Sequence, residues 1–346
     1  MLPSSPAMSK VSIRPAAIGV LLTALCIGGL VTYKASAALR TLAKARVSGT
    51  LAPKAEWIPT AGLSSAAKPF VGTVNYFSWV LIALLFGVVL GALVRALIPQ
   101  RWLASTIGAP GPRGVVTAAI VGAPLMLCSC CVAPLFDGVY TRTRRLGPAL
   151  SLMFAAPGLN PAALTLTFLL FAPHIAWARL LLSLLIVVGA SLALGRVSPS
   201  GVAPIACSID DPAPDFRSLL RSFVTSLGDV AWRTLPAIIL GALVSMALVQ
   251  NMPLSSIAAA APVGLTVIIA AIAVVVALPT FGEIPIALAL QAAGAPTSAV
   301  VAVLVAGPIV NLPSLATLAR SVSLKTAVAT AAAVFALTVV GAALFA

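Results

Sequence analysis

Charged residues are scarce in this chain of 346 residues: they make up 8% of it, whereas 61% is hydrophobic. A soluble domain carries about 25% charged residues, because its surface has to face water. So little charge excludes an ordinary water-soluble fold. We therefore expect the lipid bilayer to surround most of the chain.

Acids, histidine and nucleotide-binding motifs are also rare or absent. Seven Asp and Glu stand against 21 Lys and Arg, and the one histidine, His174, lacks the converging partners of a His metal site. The cations lie between apolar runs, which is typical of membrane-flanking segments rather than of nucleic-acid binding. No G-x-x-x-x-G-K-[ST] motif occurs, which excludes a P-loop ATPase. We expect no cofactor and no nucleic-acid partner.

Long apolar stretches fill most of the chain, and about 20 such residues cross a ~30 Å hydrocarbon core. The stretches lie at 16–33, 74–98, 114–133, 146–171, 174–194, 232–250, 262–282, 284–319 and 322–345. They predict an all-α polytopic membrane protein with about eight to ten transmembrane helices. Ala35-Ser36-Ala37 resembles a signal-peptide cleavage site, but the flanking basic residues favour an uncleaved first helix.

The membrane part repeats at a shift of 151 residues. This shift places Pro134 on Pro285, Pro157 on Pro308 and Asn160 on Asn311. Duplicated halves with interrupted helices are typical of secondary transporters. Unequal charge in equivalent loops favours halves inserted in opposite senses, with the broken helices meeting near the midplane.

These patterns divide the chain into four parts. They are an N-terminal helix and basic loop (1–72), a first membrane repeat (73–194), a polar linker (195–230) and a second membrane repeat (231–346).

A cysteine cluster ends the third apolar stretch: Cys128, Ser129, Cys130 and Cys131, followed by Pro134. Proline removes a backbone donor and disfavours helix before it, so we expect a break at Pro134. The freed carbonyls need partners in protein or a wet cavity, which the cluster would line. Thiols favour soft cations and metalloids, although free cysteines also serve as small buried apolar residues.

The repeat partner of this cluster holds Thr280 and Glu283, between Pro279 and Pro285. We expect Pro285 to break the helix here as well. A charge at mid-bilayer costs ~3 kcal/mol or more, so Glu283 should face a hydrated cavity and accept a coupling proton, with Thr280 near the substrate. The alternative is an interfacial loop carboxylate.

Two further breaks are predicted at Pro157 and Pro308, each with an asparagine three residues later. Asn160 and Asn311 are good N-caps for the helices that follow. Half-helix N-termini aimed at a cavity would hold an anion or a polar solute.

Asp137 lies between Pro134 and the basic residues Arg142, Arg144 and Arg145. A surface ion pair is the expected arrangement, and a coupling role is the alternative.

The segment Leu127-Cys-Ser-Cys130, with a proline four residues on, an Arg-rich turn and then Gly147 to Pro157, resembles the ArsP-type predicted permeases. Ile284-Pro285 through Gly307-Pro308 resembles the second signature of that family, and the resemblance covers about 74–345. It implies a multi-pass permease of the bacterial cytoplasmic membrane. Some members export trivalent organoarsenicals with cysteine implicated. By this resemblance the metalloid ligands would be Cys128 and Cys130, whereas Cys131 replaces a more usual glycine.

The leading hypothesis is therefore a secondary transporter for a small solute, with efflux of a soft metalloid or thiol-reactive compound as its specific form. A membrane thiol oxidoreductase using Cys128, Cys130 and Cys131 is the first alternative. A membrane subunit of a larger complex, docking through 195–230, is the second. A homo-oligomer is compatible with each of the three hypotheses.

Overall fold

The computed structural model describes residues 14–51, 55–98, 100–109, 111–197, 216–250 and 262–345. Within these ranges all regular structure is helical, as predicted. The helices are α1 Arg14–Ser48, α2 Lys68–Ala96, α3 Gln100–Thr106, α4 Pro112–Gly122, α5 Ser129–Thr143, α6 Leu146–Gly158, α7 Pro161–Leu170, α8 Pro173–Val197, α9 Phe216–Gln250, α10 Pro262–Val275, α11 Glu283–Ala292, α12 Thr297–Ile309, α13 Leu312–Ser321 and α14 Leu324–Leu344. A π-helical turn, Ile186–Ala190, lies inside α8. The acidic part of the linker and Cys207 lie outside the described residues.

Five of these helices, α1, α2, α8, α9 and α14, are long and apolar enough to cross a membrane. The bent pairs α6/α7 and α12/α13 raise the number of candidate spans to seven in the described ranges. The polytopic membrane architecture is thus confirmed. Among the described residues, stretches 114–133 and 262–282 do not form single long helices, so they are not among these candidate spans. Helix α4 has 11 residues and is about 16 Å long, half the hydrocarbon core.

Two helices extend beyond their predicted bounds. Helix α1 continues through Lys34 to Ser48, where a basic loop was expected, and α9 begins at Phe216, inside the predicted linker. In 216–230 the apolar residues Leu220, Val224 and Leu227 recur at helical spacing, which gives α9 one apolar face.

The repeat is visible in the helix bounds. Helices α6 and α7 recur 151 residues later as α12 and α13, with the same first and last positions. The two pairs bend by similar angles, 40° and 42°. The sequence shift therefore reflects a structural duplication, whereas the opposite insertion of the two halves stays a prediction.

Helix α2 fixes the cysteine segment in place. Gly87 and Gly91 of α2 lie against the backbone carbonyls of Cys131 and Pro134, and a Cβ at either glycine would collide with these oxygens. This close approach explains why the predicted break at Pro134 is wrong. Pro134 lies inside α5, which continues through it and packs against α2 despite the lost hydrogen bond.

Candidate functional site

A narrow cavity lies where four chain breaks meet. Both halves contribute to it: the turn before α5 and the α6/α7 bend from the first half, and the turn before α11 and the end of α12 from the second. It has room for about one water molecule. Its lining residues are Leu127, Cys128, Pro157, Asn160, Leu278, Pro279, Thr280, Phe281, Glu283 and Pro308. The predicted meeting of broken segments is therefore present in the fold.

The cysteine cluster lies behind one wall of this cavity. Met126 has a φ of 51° and turns the chain, so that Cys128 stands in extended conformation just before α5. Cys128 lines the cavity, whereas Cys130 and Cys131 begin α5 and are fully buried behind it. The Sγ atoms of Cys128 and Cys130 are 3.2 Å apart, and those of Cys130 and Cys131 are 3.7 Å apart. Ser129 is also buried.

Tyr76 of α2 contacts the cysteine cluster. Its hydroxyl oxygen lies 2.7 Å from Cys130 Sγ, and the side chain is fully buried. Nothing in the sequence pattern singled out Tyr76, because its position depends on how α2 packs on α5.

Glu283 forms a buried ion pair that the sequence analysis missed. Arg179 Nη2 donates to Glu283 Oε1 at 2.7 Å, and Arg179 Nη1 donates to the Thr167 hydroxyl at 2.6 Å. Arg179 is 0% exposed and Glu283 is 2% exposed, so Glu283 is a buried helical residue and not an exposed loop carboxylate. The pair joins α8 of the first half to α11 of the second. Arg179 is the one charged side chain in stretch 174–194, and a lone charge in an apolar stretch indicates a buried partner or a functional site.

Helix α1 contacts the cavity lining at Thr280. Lys34 Nζ donates to the Thr280 hydroxyl at 3.3 Å. A small apolar cluster formed by Val31, Ala35, Ala38, Met126, Ala162 and Phe281 surrounds this contact. Helix α1 also packs against α2, where the rings of Tyr33 and Phe86 are stacked with centroids 6.4 Å apart.

Both asparagines cap helices as predicted, but only one reaches the cavity. Asn160 Oδ1 accepts hydrogen bonds from the backbone of Ala162 and Ala163, and the residue lines the cavity. Asn311 forms a capping box with Ser314 and is not among the lining residues. The amide nitrogen of Asn311 is buried and has no hydrogen-bond partner among the residues that the structure describes.

The prolines differ in what they do to the helices. Pro157 and Pro308 stand one residue before the ends of α6 and α12, and both line the cavity, in agreement with the predicted breaks. Pro285 lies in the first turn of α11, where a backbone donor has no helical partner, so it does not break that helix. The break in this segment lies earlier, between Val276 and Gly282.

Asp137 is not at the surface, and the expected pairing with the basic turn is wrong. The side chain is 0% exposed, and its Oδ1 accepts a hydrogen bond from the Ser321 hydroxyl at 2.7 Å. Its Oδ2 lies 3.9 Å from Arg95 Nη1, while Arg95 Nη2 contacts Asp229 at 3.2 Å. Asp137 is not among the cavity-lining residues, because α5 carries it to the junction of α2, α9 and α13.

Comparison of the sequence with known protein families identifies a match. The sequence profile of the ArsP_1 family, described as predicted permease, matches residues 68–346. The chain belongs to this family. The match begins at the first residue of α2, so α1 lies outside it.

Two curated relatives are similar to parts of the chain. The UPF0718 protein YraQ of Escherichia coli is 32% identical over 172 residues, which cover 49% of each protein. The UPF0718 protein MJ0584 of Methanocaldococcus jannaschii is 29% identical over 85 residues, 24% of this chain and 23% of the relative. The matches thus span half or less of these relatives. No solved structure matches the chain.

Proposed function

We propose that the chain is a secondary transporter that moves a small, thiol-reactive solute through the cavity between its two halves. The observation that carries this proposal is the position of Cys128, which lines a cavity enclosed by broken helices from both halves. Discontinuous helices around a central site are the arrangement by which secondary transporters bind cargo. Membership in a permease family favours transport over catalysis.

The cavity has room for about one water molecule, so a larger cargo requires the halves to separate. The Arg179–Glu283 ion pair joins α8 to α11 and must then lengthen or break. Protonation of Glu283 would remove its attraction for Arg179, which keeps Thr167 as a partner within the first half. In this mechanism Glu283 couples a proton to the opening between the halves.

The other groups fit this role. Asn160 adds a polar side chain to the cavity lining, and in this proposal α1 limits access through the contact between Lys34 and Thr280. We propose efflux across the inner membrane of a bacterium as the direction and location. Soft metalloids are the cargo class, because thiols bind soft centres in preference to hard ones.

The thiol oxidoreductase receives less support from the geometry. Electron exchange with a soluble protein requires one thiol to reach that partner. Cys130 and Cys131 are fully buried, and Cys128 opens only on the narrow cavity. Isolation of a mixed disulfide between Cys128 and a soluble thiol protein would favour this alternative instead.

Transport into inverted membrane vesicles tests the proposal. The cargo probes are phenylarsine oxide and arsenite, and the variants are wild type, Cys128→Ser/Cys130→Ser and, as the matched control, Cys26→Ser in α1. We expect accumulation with wild type and Cys26→Ser and none with the double variant. Equal transport by the double variant, at equal protein level, would remove the thiols from the mechanism.

A further inference from the structure

We infer that Cys131 makes the thiol cluster a three-sulfur site, which selects trivalent ions with three exchangeable ligands over those with two. This inference rests on the proposed function and specifies its cargo. A trivalent metalloid hydroxide, such as arsenite or antimonite, is the matching class.

The sulfur positions fit one common centre. The three Sγ atoms lie within 4.8 Å of one another, with separations of 3.2 Å and 3.7 Å for the two pairs that include Cys130. Sulfurs bonded to one ion at about 2.3 Å lie roughly 3.3–3.8 Å apart. A small side-chain adjustment of Cys128 relative to Cys131 therefore completes the triangle.

Charge balance in the buried site favours a trivalent centre. Each thiol gives up its proton as its sulfur bonds to the ion, and each hydroxide of the cargo takes one proton and leaves as water. Three such exchanges on a trivalent trihydroxide release three waters and give a neutral complex, without any oxidant or reductant. A divalent ion on three thiolates would leave a net negative charge at residues that are 0–4% exposed, which is costly in a low dielectric. Water attack on the three sulfur bonds reverses the reaction and releases the cargo.

Cys131 is then the residue that separates two cargo types. A trivalent arsenical with one organic group has two exchangeable positions, which Cys128 and Cys130 satisfy. A trihydroxide has three, and with two thiols it keeps one hydroxide in a site whose cysteines are 0–4% exposed. Removal of Cys131 should therefore weaken the binding of the trihydroxide alone.

The test uses the purified full-length chain in a Cys26→Ser/Cys207→Ser background, which removes the remaining thiols. Binding of arsenite and of phenylarsine oxide is measured by equilibrium dialysis, and arsenic X-ray absorption counts the bound sulfurs. We expect three sulfurs around arsenite and two around phenylarsine oxide. In Cys131→Ser, arsenite affinity should fall at least about tenfold, since even an indirect partner of a metal ligand is worth 10–100-fold. Phenylarsine oxide affinity should change little, and Cys131→Ala, checked for the same elution and melting profile, should repeat the result.

Several outcomes would overturn the inference. These are two sulfurs around arsenite in the background protein, equal losses for both arsenicals in Cys131→Ser, or Zn²⁺ displacing arsenite at equal concentration. If Cys128→Ser abolishes binding of both arsenicals while Cys131→Ser changes neither, the proposed transporter stands and the three-sulfur site does not. If the background protein binds neither arsenical, the proposed function itself fails.

Discussion

Replacement of Glu283 by glutamine tests the buried ion pair that joins the two halves. The change leaves Arg179, which is 0% exposed, with a neutral partner in place of a carboxylate 2.7 Å away. Loss of one partner from a buried pair destabilises a protein by about 3–5 kcal/mol, because the other charge stays buried and uncompensated. Arg179→Gln should cost a similar amount for the same reason.

The double variant Arg179→Gln/Glu283→Gln completes a double-mutant cycle. Stability is measured by thermal unfolding of the purified proteins in detergent. We expect the double variant to be more stable than either single variant, because both charges are gone. Glu56→Gln is the control, since Glu56 is exposed and has no cationic partner among the described residues. Additive losses in the cycle would refute the coupling. If the double variant also transports at the wild-type rate, the pair is structural and Glu283 does not couple a proton.

Three other predictions concern the packing around the cavity. Gly91→Ala in α2 should destabilise the protein by about 1–3 kcal/mol, because the added Cβ meets the Pro134 carbonyl. Gly28→Ala in α1 is the control, since its Cβ meets no atom within 4 Å and should not lower stability. Thermal melting in detergent compares the two variants. Lys34→Met removes the contact with Thr280, so maleimide should label Cys128 faster, which mass spectrometry measures. An unchanged labelling rate would show that α1 does not control access to the cavity. Asn160→Ala and Asn311→Ala should each destabilise the protein by about 1 kcal/mol, because each removes a helix N-cap. Only Asn160→Ala should also weaken arsenical binding, since only Asn160 lines the cavity. Equal binding losses in the two variants would contradict this assignment.

The sequence predicted the parts of the fold that depend on local chemistry. Scarce charge indicated the membrane, and the shift of 151 residues located α6/α7 and α12/α13 with both asparagine caps. These features depend on backbone donors and proline geometry, which are fixed within a few residues. Membership in the permease family agrees with the resemblance seen in the Cys128–Cys130 segment.

Side-chain partners across helices were not predictable in the same way. Arg179 and Glu283 are 104 residues apart in sequence, and Asp137 and Ser321 are 184 apart. Such pairs depend on which helices pack together, and apolar composition alone does not specify this. Pro134 alone predicts a break, whereas the close packing of α2 on α5, which lets the helix continue through it, depends on residues distant in sequence.

Protection of Cys128 by cargo is the measurement that tests the central claim most directly. In a variant that keeps Cys128 and Cys130 but has serine at positions 26, 131 and 207, maleimide labelling of Cys128 is followed with and without phenylarsine oxide. The account predicts that the arsenical blocks labelling, and that treatment with a dithiol, which removes the arsenical and is itself removed before maleimide is added, restores it. Labelling of Cys128 at the same rate in the presence of the arsenical would place the cargo elsewhere and contradict the account.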